Sequence, residues 1–72
     1  MTTPDPRAYV RIAAIVRQGI AEGRWQPGQP VPSITTLGQD YGVARQTAAK
    51  ALRLLESEGL VTRVPGLGYF VA

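Results

Sequence analysis

The sequence contains no cysteine and no histidine. The first absence excludes disulfide stapling and the best thiol nucleophile. Together they remove the usual zinc ligands and the commonest general base. Carboxylates are scarce as well: Asp5, Glu22, Asp40, Glu56 and Glu58 are the full set. Glu56 and Glu58 stand two apart, point in different directions on a helix, and do not form an acid–base pair. This inventory argues against an enzyme and calls for no cofactor and no metal. Long apolar runs are also missing. The longest, Ile12 to Val16, falls far short of the ~20 residues that span a bilayer. The opening Met-Thr-Thr-Pro-Asp-Pro has neither the basic nor the apolar region of a signal peptide, so a cytoplasmic location is expected and no membrane partner.

What remains is a short, basic chain of 72 residues with a formal net charge of +3. A small domain of this charge suits a polyanionic partner, a description shared by ribosomal, membrane-surface and DNA-binding proteins. Its hydrophobic content, 44%, is enough for one core and leaves little to line a deep pocket.

Two prolines among residues 1–6 predict a flexible lead, and the folded domain is expected over 7–72. Tyr9, Ile12, Ala13, Val16 and Ile20 recur at i, i+3, i+4, i+7 and i+11, the stripe of a helix running to about Glu22, with Gly23 as its stop. Residues 26–32 hold Pro27, Pro30 and Pro32 and read as a turn-rich connector, under which Trp25 is expected to pack. Ser33 precedes a second periodic stretch, Ile34, Leu37 and Tyr41, which Gly42 ends. With no base to activate it, Ser33 is a helix cap rather than a nucleophile; a capped helix start can also meet a phosphate.

The third stretch has an apolar face of Ala48, Ala51, Leu52 and Leu55 opposite a polar face of Gln46, Lys50 and Arg53, and ends at Gly59. Two helices joined by a tight turn at Gly42-Val43 have the shape of a helix-turn-helix, here about 33–58. Leu60–Val64 and Tyr69–Ala72 are rich in β-branched and aromatic residues, with Pro65–Gly68 as the turn between them. Such a hairpin needs the helices for support. The expected fold is therefore mainly α with a small β-hairpin: three helices plus a β-wing at about 60–72, a winged helix-turn-helix. Gly66 and Gly68 are too few, and in the wrong context, to be a dinucleotide fingerprint.

In this order, Tyr9, Ile12, Pro27-Gly28, Pro32-Ser33, Leu37, Gly42-Val43, Arg45, Thr47, Ala51-Leu52, Leu55, Gly59-Leu60-Val61, Arg63, Gly66, Gly68 and Phe70-Val71 resemble the winged helix-turn-helix of the GntR family of bacterial transcription regulators. The resemblance spans nearly everything from Tyr9 to Val71. It implies a duplex-DNA-binding regulator, more often a repressor, with the third helix in the major groove and the wing at the minor groove. The DNA-binding set it implies is Ser33, Thr35, Arg45, Gln46, Thr47, Lys50, Arg53, Arg63 and Gly66. Arg45 suits guanine and Gln46 adenine, while Thr47 suits a phosphate or a thymine methyl. Lys50 and Arg53 suit phosphates. Thr35 and Ala49 stand where Arg is usual, Lys50 where an acid is, and Ala44 where a Ser cap is, so a different operator is expected. The implied partner is double-stranded DNA, as a palindromic operator; a monomer or weak homodimer in solution that pairs on the DNA is expected.

Leu54 and Leu67 replace polar or basic residues and carry two readings, incidental exposed leucines or a protomer contact. Members of the family continue into an effector-binding domain; this chain reads as an excised domain or a stand-alone regulator, with no identifiable effector pocket. The alternative function is a winged-helix protein–protein adaptor. Against it stands the polar, basic face of the third helix, since protein-binding faces are apolar at their centres.

Overall fold

Helix α1 (Ala8–Ala21) follows from its apolar stripe: Ile12, Ala13 and Val16 are buried on one face, with Tyr9 and Ile20 packed at its edges. In the computed structural model, which describes residues 7–72, it is followed by α2 (Ile34–Tyr41), α3 (Arg45–Ser57), β1 (Val61–Val64) and β2 (Gly68–Val71). The lead expected over 1–6 lies outside the described residues. No helix among the described residues is long and apolar enough to cross a membrane.

The helix ends are set by local chemistry. At the close of α1, Arg24 N–H donates to Gly19 C=O at 2.8 Å and Gly23 N–H to Ile20 C=O at 3.1 Å. Leu60 and Gly59 repeat the pattern on Leu55 and Glu56 at the close of α3. Both are Schellman endings, and Leu60, like Leu55, packs on the core. Ser33 caps α2 as expected, its hydroxyl accepting from Thr36 N–H at 3.0 Å. Between α2 and α3 the chain reverses at Gly42, whose φ of +63° is left-handed and would cost an L-residue ~1–2 kcal/mol.

The core is one cluster in which Leu37 of α2, Ala48, Ala51, Leu52 and Leu55 of α3, and Val61, Tyr69 and Val71 of the wing meet the α1 stripe. Lys50 lies over the Tyr9 ring and Arg17 pairs with Glu58. These contacts hold opposite ends of the α1–α3 seam and require the two helices to run in the same direction. Ala8, Ala13 and Gly19 of α1 and Ala48 and Ala51 of α3 are the small residues on the buried faces. Gly19 matters most, because a Cβ there would enter the Trp25 ring.

In the wing, β1 and β2 pair antiparallel in the register Val61↔Val71, Thr62↔Phe70, Arg63↔Tyr69 and Val64↔Gly68. The connector is more ordered than a turn-rich segment. Gly28 N–H donates to Val71 C=O at 2.9 Å, Val71 N–H to Gln29 C=O at 2.9 Å, and Val31 N–H to Tyr69 C=O at 3.1 Å. Residues 28–31 thus line the free edge of β2, bridging at Pro30↔Phe70. Pro30 fits there because the bonds fall on its neighbours, and an edge position tolerates a residue without N–H.

Apolar residues at the margin of the core differ in exposure. Tyr41, at the end of α2, is 43% exposed, and Phe70 of β2 is half-buried outside the central cluster. Leu54 packs partly against the core, which explains its apolar character without a protomer contact. Leu67, at the tip of the wing, is 73% exposed.

Candidate nucleic-acid interface

Three chain segments converge on one side of the fold: the start of α2, one edge of α3, and the wing. Strand alternation brings the wing in. Arg63 sits directly opposite Tyr69 and shares its face with Val61 and Val71, so it lies beside the helices while Thr62 and Phe70 take the other face. Helical periodicity supplies the rest. Arg45, Ala49, Arg53 and Glu56 follow one another along the edge of α3 nearest the wing, at i, i+4, i+8 and i+11.

Two adjoining clefts result. One, of about 290 Å³, is lined by the cap Ser33 and Thr35 of α2, Arg45 of α3, and Arg63, Gly66 and Gly68 of the wing. The other, of about 570 Å³, is lined by Ala49, Arg53 and Glu56 of α3 with Arg63. Ile34, Arg63 and Tyr69 border both. Of the residues expected at the site, Ser33, Thr35, Arg45, Arg53, Arg63 and Gly66 are therefore brought together. Gln46 is exposed on α3 outside both clefts, and Thr47 is half-buried. Lys50 is turned toward α1, its Nζ 4.4 Å from the centre of the Tyr9 ring.

Within the first cleft the side chains are already engaged with one another. Arg45 Nη1 donates to Thr35 Oγ1 at 3.0 Å, linking α3 to α2 across the turn. The Ser33 hydroxyl, besides capping, donates to Thr36 Oγ1 at 3.0 Å, so it is used twice before any ligand arrives. Ala44, the N-cap of α3, offers no side-chain acceptor, which leaves first-turn N–H groups of that helix to solvent or an anion.

Charge is distributed unevenly. Glu58 is held by a two-pronged contact from Arg17, at 2.9 and 2.7 Å, and its hydrogen bond raises the Arg17 guanidinium above its ordinary value. Glu22 is held by Gln18 at 2.9 Å and by Arg24 at 3.3 Å. Those carboxylates are thereby matched away from the clefts. The clefts themselves carry Arg45, Arg53 and Arg63 against Glu56. Among the described residues no cluster of acidic side chains could hold a metal ion. Such a surface can bind an extended polyanion through several guanidinium groups at once.

Ala49, Glu56 and Ile34 border the site without having been expected there. The place of Glu56 beside Arg53 and Arg63 depends on how the wing folds back, which no local pattern reports.

The family described as "Bacterial regulatory proteins, gntR family" matches residues 8–71. Over 64 residues the chain is 41% identical to a histidine utilization repressor of Pseudomonas putida, covering 89% of this chain and 26% of that protein. It is 36% identical over 64 residues to the HTH-type transcriptional repressor NagR of Bacillus subtilis, covering 89% and 26%. The chain thus spans about a quarter of the length of these curated relatives. Among solved structures, the DNA-binding domain of AraR in complex with operator ORE1 superposes with a TM-score of 0.87 at 35% identity, covering 100% of this chain and 84% of that one.

Proposed function

This chain belongs to the gntR family of bacterial regulatory proteins, and from that premise we propose that it is a sequence-specific duplex-DNA-binding transcription regulator that represses by occupying its operator. The observation that carries the proposal is the convergence of Arg45 and Arg53 of α3 and Arg63 of β1 on one face with the start of α2. The AraR domain that superposes on the chain was solved with operator DNA, and the relatives from Pseudomonas putida and Bacillus subtilis are named as repressors.

In this reading α3 enters the major groove by its N-terminal half. Arg45 pairs with guanine O6 and N7 through two parallel donors, and Gln46 meets adenine N6 and N7. Thr47, half-buried, contacts a phosphate. Arg53 and Arg63 flank the groove and neutralise backbone phosphates. Lys50 reaches a phosphate by leaving the Tyr9 ring, at a cost of ~0.5–1 kcal/mol for an exposed cation–π contact. The wing approaches the minor groove, where Gly66 brings the main chain close. The operator is palindromic and its half-sites are bound by two copies that pair weakly and on DNA; repression then follows from exclusion of polymerase in the bacterial cytoplasm.

Fluorescence anisotropy of labelled duplexes against added salt tests this directly. The logarithm of the affinity should fall by ~0.9 per phosphate contacted for each tenfold rise in salt. A specific duplex should outcompete random DNA at every salt concentration. Binding that is insensitive to salt, or equal for all duplexes, contradicts the proposal.

A further inference from the structure

The contact between α2 and α3 at the mouth of the first cleft has a consequence for base reading. Arg45 is the first residue of α3 and Thr35 the second of α2, and the two are joined by the 3.0 Å bond from Nη1 to the Thr35 hydroxyl oxygen. Both residues are exposed, and the bond to Thr35 is the side-chain hydrogen bond that the Arg45 guanidinium makes. An unrestrained arginine samples many rotamers, and a bidentate contact to a base must freeze them. Threonine is a stiff tether because its branched Cβ restricts χ1, and its second hydroxyl lone pair and proton stay available. Arg45 has five N–H donors. With Nη1 held on Thr35, the guanidinium samples fewer orientations, and the Nε and Nη2 donors form a free edge able to meet a base.

We propose that Thr35 is a positioning residue for base recognition: it holds the Arg45 guanidinium so that the free edge meets a single guanine, and so sets the base preference at that pair. This rests on the DNA-binding reading given above. Thr35 need not touch a base for the effect; it acts through Arg45.

The test compares the wild-type chain with Thr35→Val, which keeps the shape and removes the hydroxyl, and Thr35→Ser, which keeps the hydroxyl. Each is also made with Arg45→Ala. Affinities are measured for the duplex preferred by the wild type and for its versions changed one base pair at a time, with thermal melts confirming that the variants fold. For Thr35→Val, discrimination should fall about three- to tenfold, the range for one hydrogen bond. The loss should be confined to the base pair at which Arg45→Ala also loses discrimination. Thr35→Ser should restore most of it. In the Arg45→Ala background, Thr35→Val should have no further effect at that pair.

Unchanged discrimination by Thr35→Val in a wild type that is itself selective overturns the positioning role and leaves the DNA-binding function standing. Additive losses for Thr35→Val and Arg45→Ala also overturn it, since they would mean that Thr35 makes its own contact. A wild-type chain with no base preference at any pair overturns both the function and the role.

Discussion

Replacing Gly19 by alanine should destabilise the domain, against the usual trend for helices. At an unobstructed position within a helix, Ala in place of Gly stabilises by ~1 kcal/mol. Here the new methyl would penetrate the ring of Trp25, with three ring carbons in its way. A ring is rigid, so Trp25 must move as a whole, and it has packing to lose: it lies against the core and carries the Arg24 guanidinium 5.5 Å from its centroid. Overpacking of this kind costs ~1–3 kcal/mol. Set against the helix gain, the net loss is ~1 kcal/mol, equivalent to a fall in Tm of ~4–8 °C for a domain of this size. Thermal denaturation followed by circular dichroism measures it. The fluorescence of Trp25, the only tryptophan, reports whether its ring has moved. The sign should reverse when the obstacle is removed: in a Trp25→Ala background, Gly19→Ala should stabilise by ~1 kcal/mol. A rise in Tm for Gly19→Ala with Trp25 in place would refute the reasoning.

Other substitutions separate base reading from charge and from scaffold. Arg45→Ala should lose ~1–3 kcal/mol on the preferred duplex and relax the preference at one base pair, in a competition titration against single-pair variants. Arg53→Ala should weaken preferred and random duplexes about equally and flatten the salt dependence by ~0.9 per decade, read from anisotropy titrations. Gly42→Ala should lower stability by ~1–2 kcal/mol in a denaturant titration, because φ at that turn is left-handed. Arg17→Ala should matter much less. The pair with Glu58 is well formed, but its side chains are 40% and 35% exposed, so solvent screening holds its contribution below ~1 kcal/mol, and the difference from wild type should shrink further in high salt.

Much of the fold was legible because its determinants are local. The apolar periods of α1 and α3, the serine cap of α2 and the glycines at the helix ends are short-range signals, and each has its expected place in the structure. The pairing of residues 28–31 with β2 was not legible. A segment rich in proline and glycine satisfies the rules for a turn whether or not a strand lies beside it, and only the folded wing supplies that strand. Leu54 shows the same limit: its position between two faces of α3 left its environment open until α1 and the core were in place. At the candidate site, the helical face of α3 pointed to Gln46, Lys50 and Arg53 as a group, yet the structure divides them. Arg53 joins Arg45 and Arg63 at the clefts, while Lys50 lies over Tyr9. The link from Arg45 to Thr35 spans the turn between two helices, so periodicity within either helix cannot reveal it.

The central claim is that the arginine-lined face reads a particular DNA sequence. Selection from a randomised duplex library at near-physiological salt tests it most directly. Enrichment of a two-fold symmetric motif, with a guanine in each half-site whose preference disappears in Arg45→Ala, is the expected result. Salt-sensitive binding to every duplex with no motif enriched would contradict it.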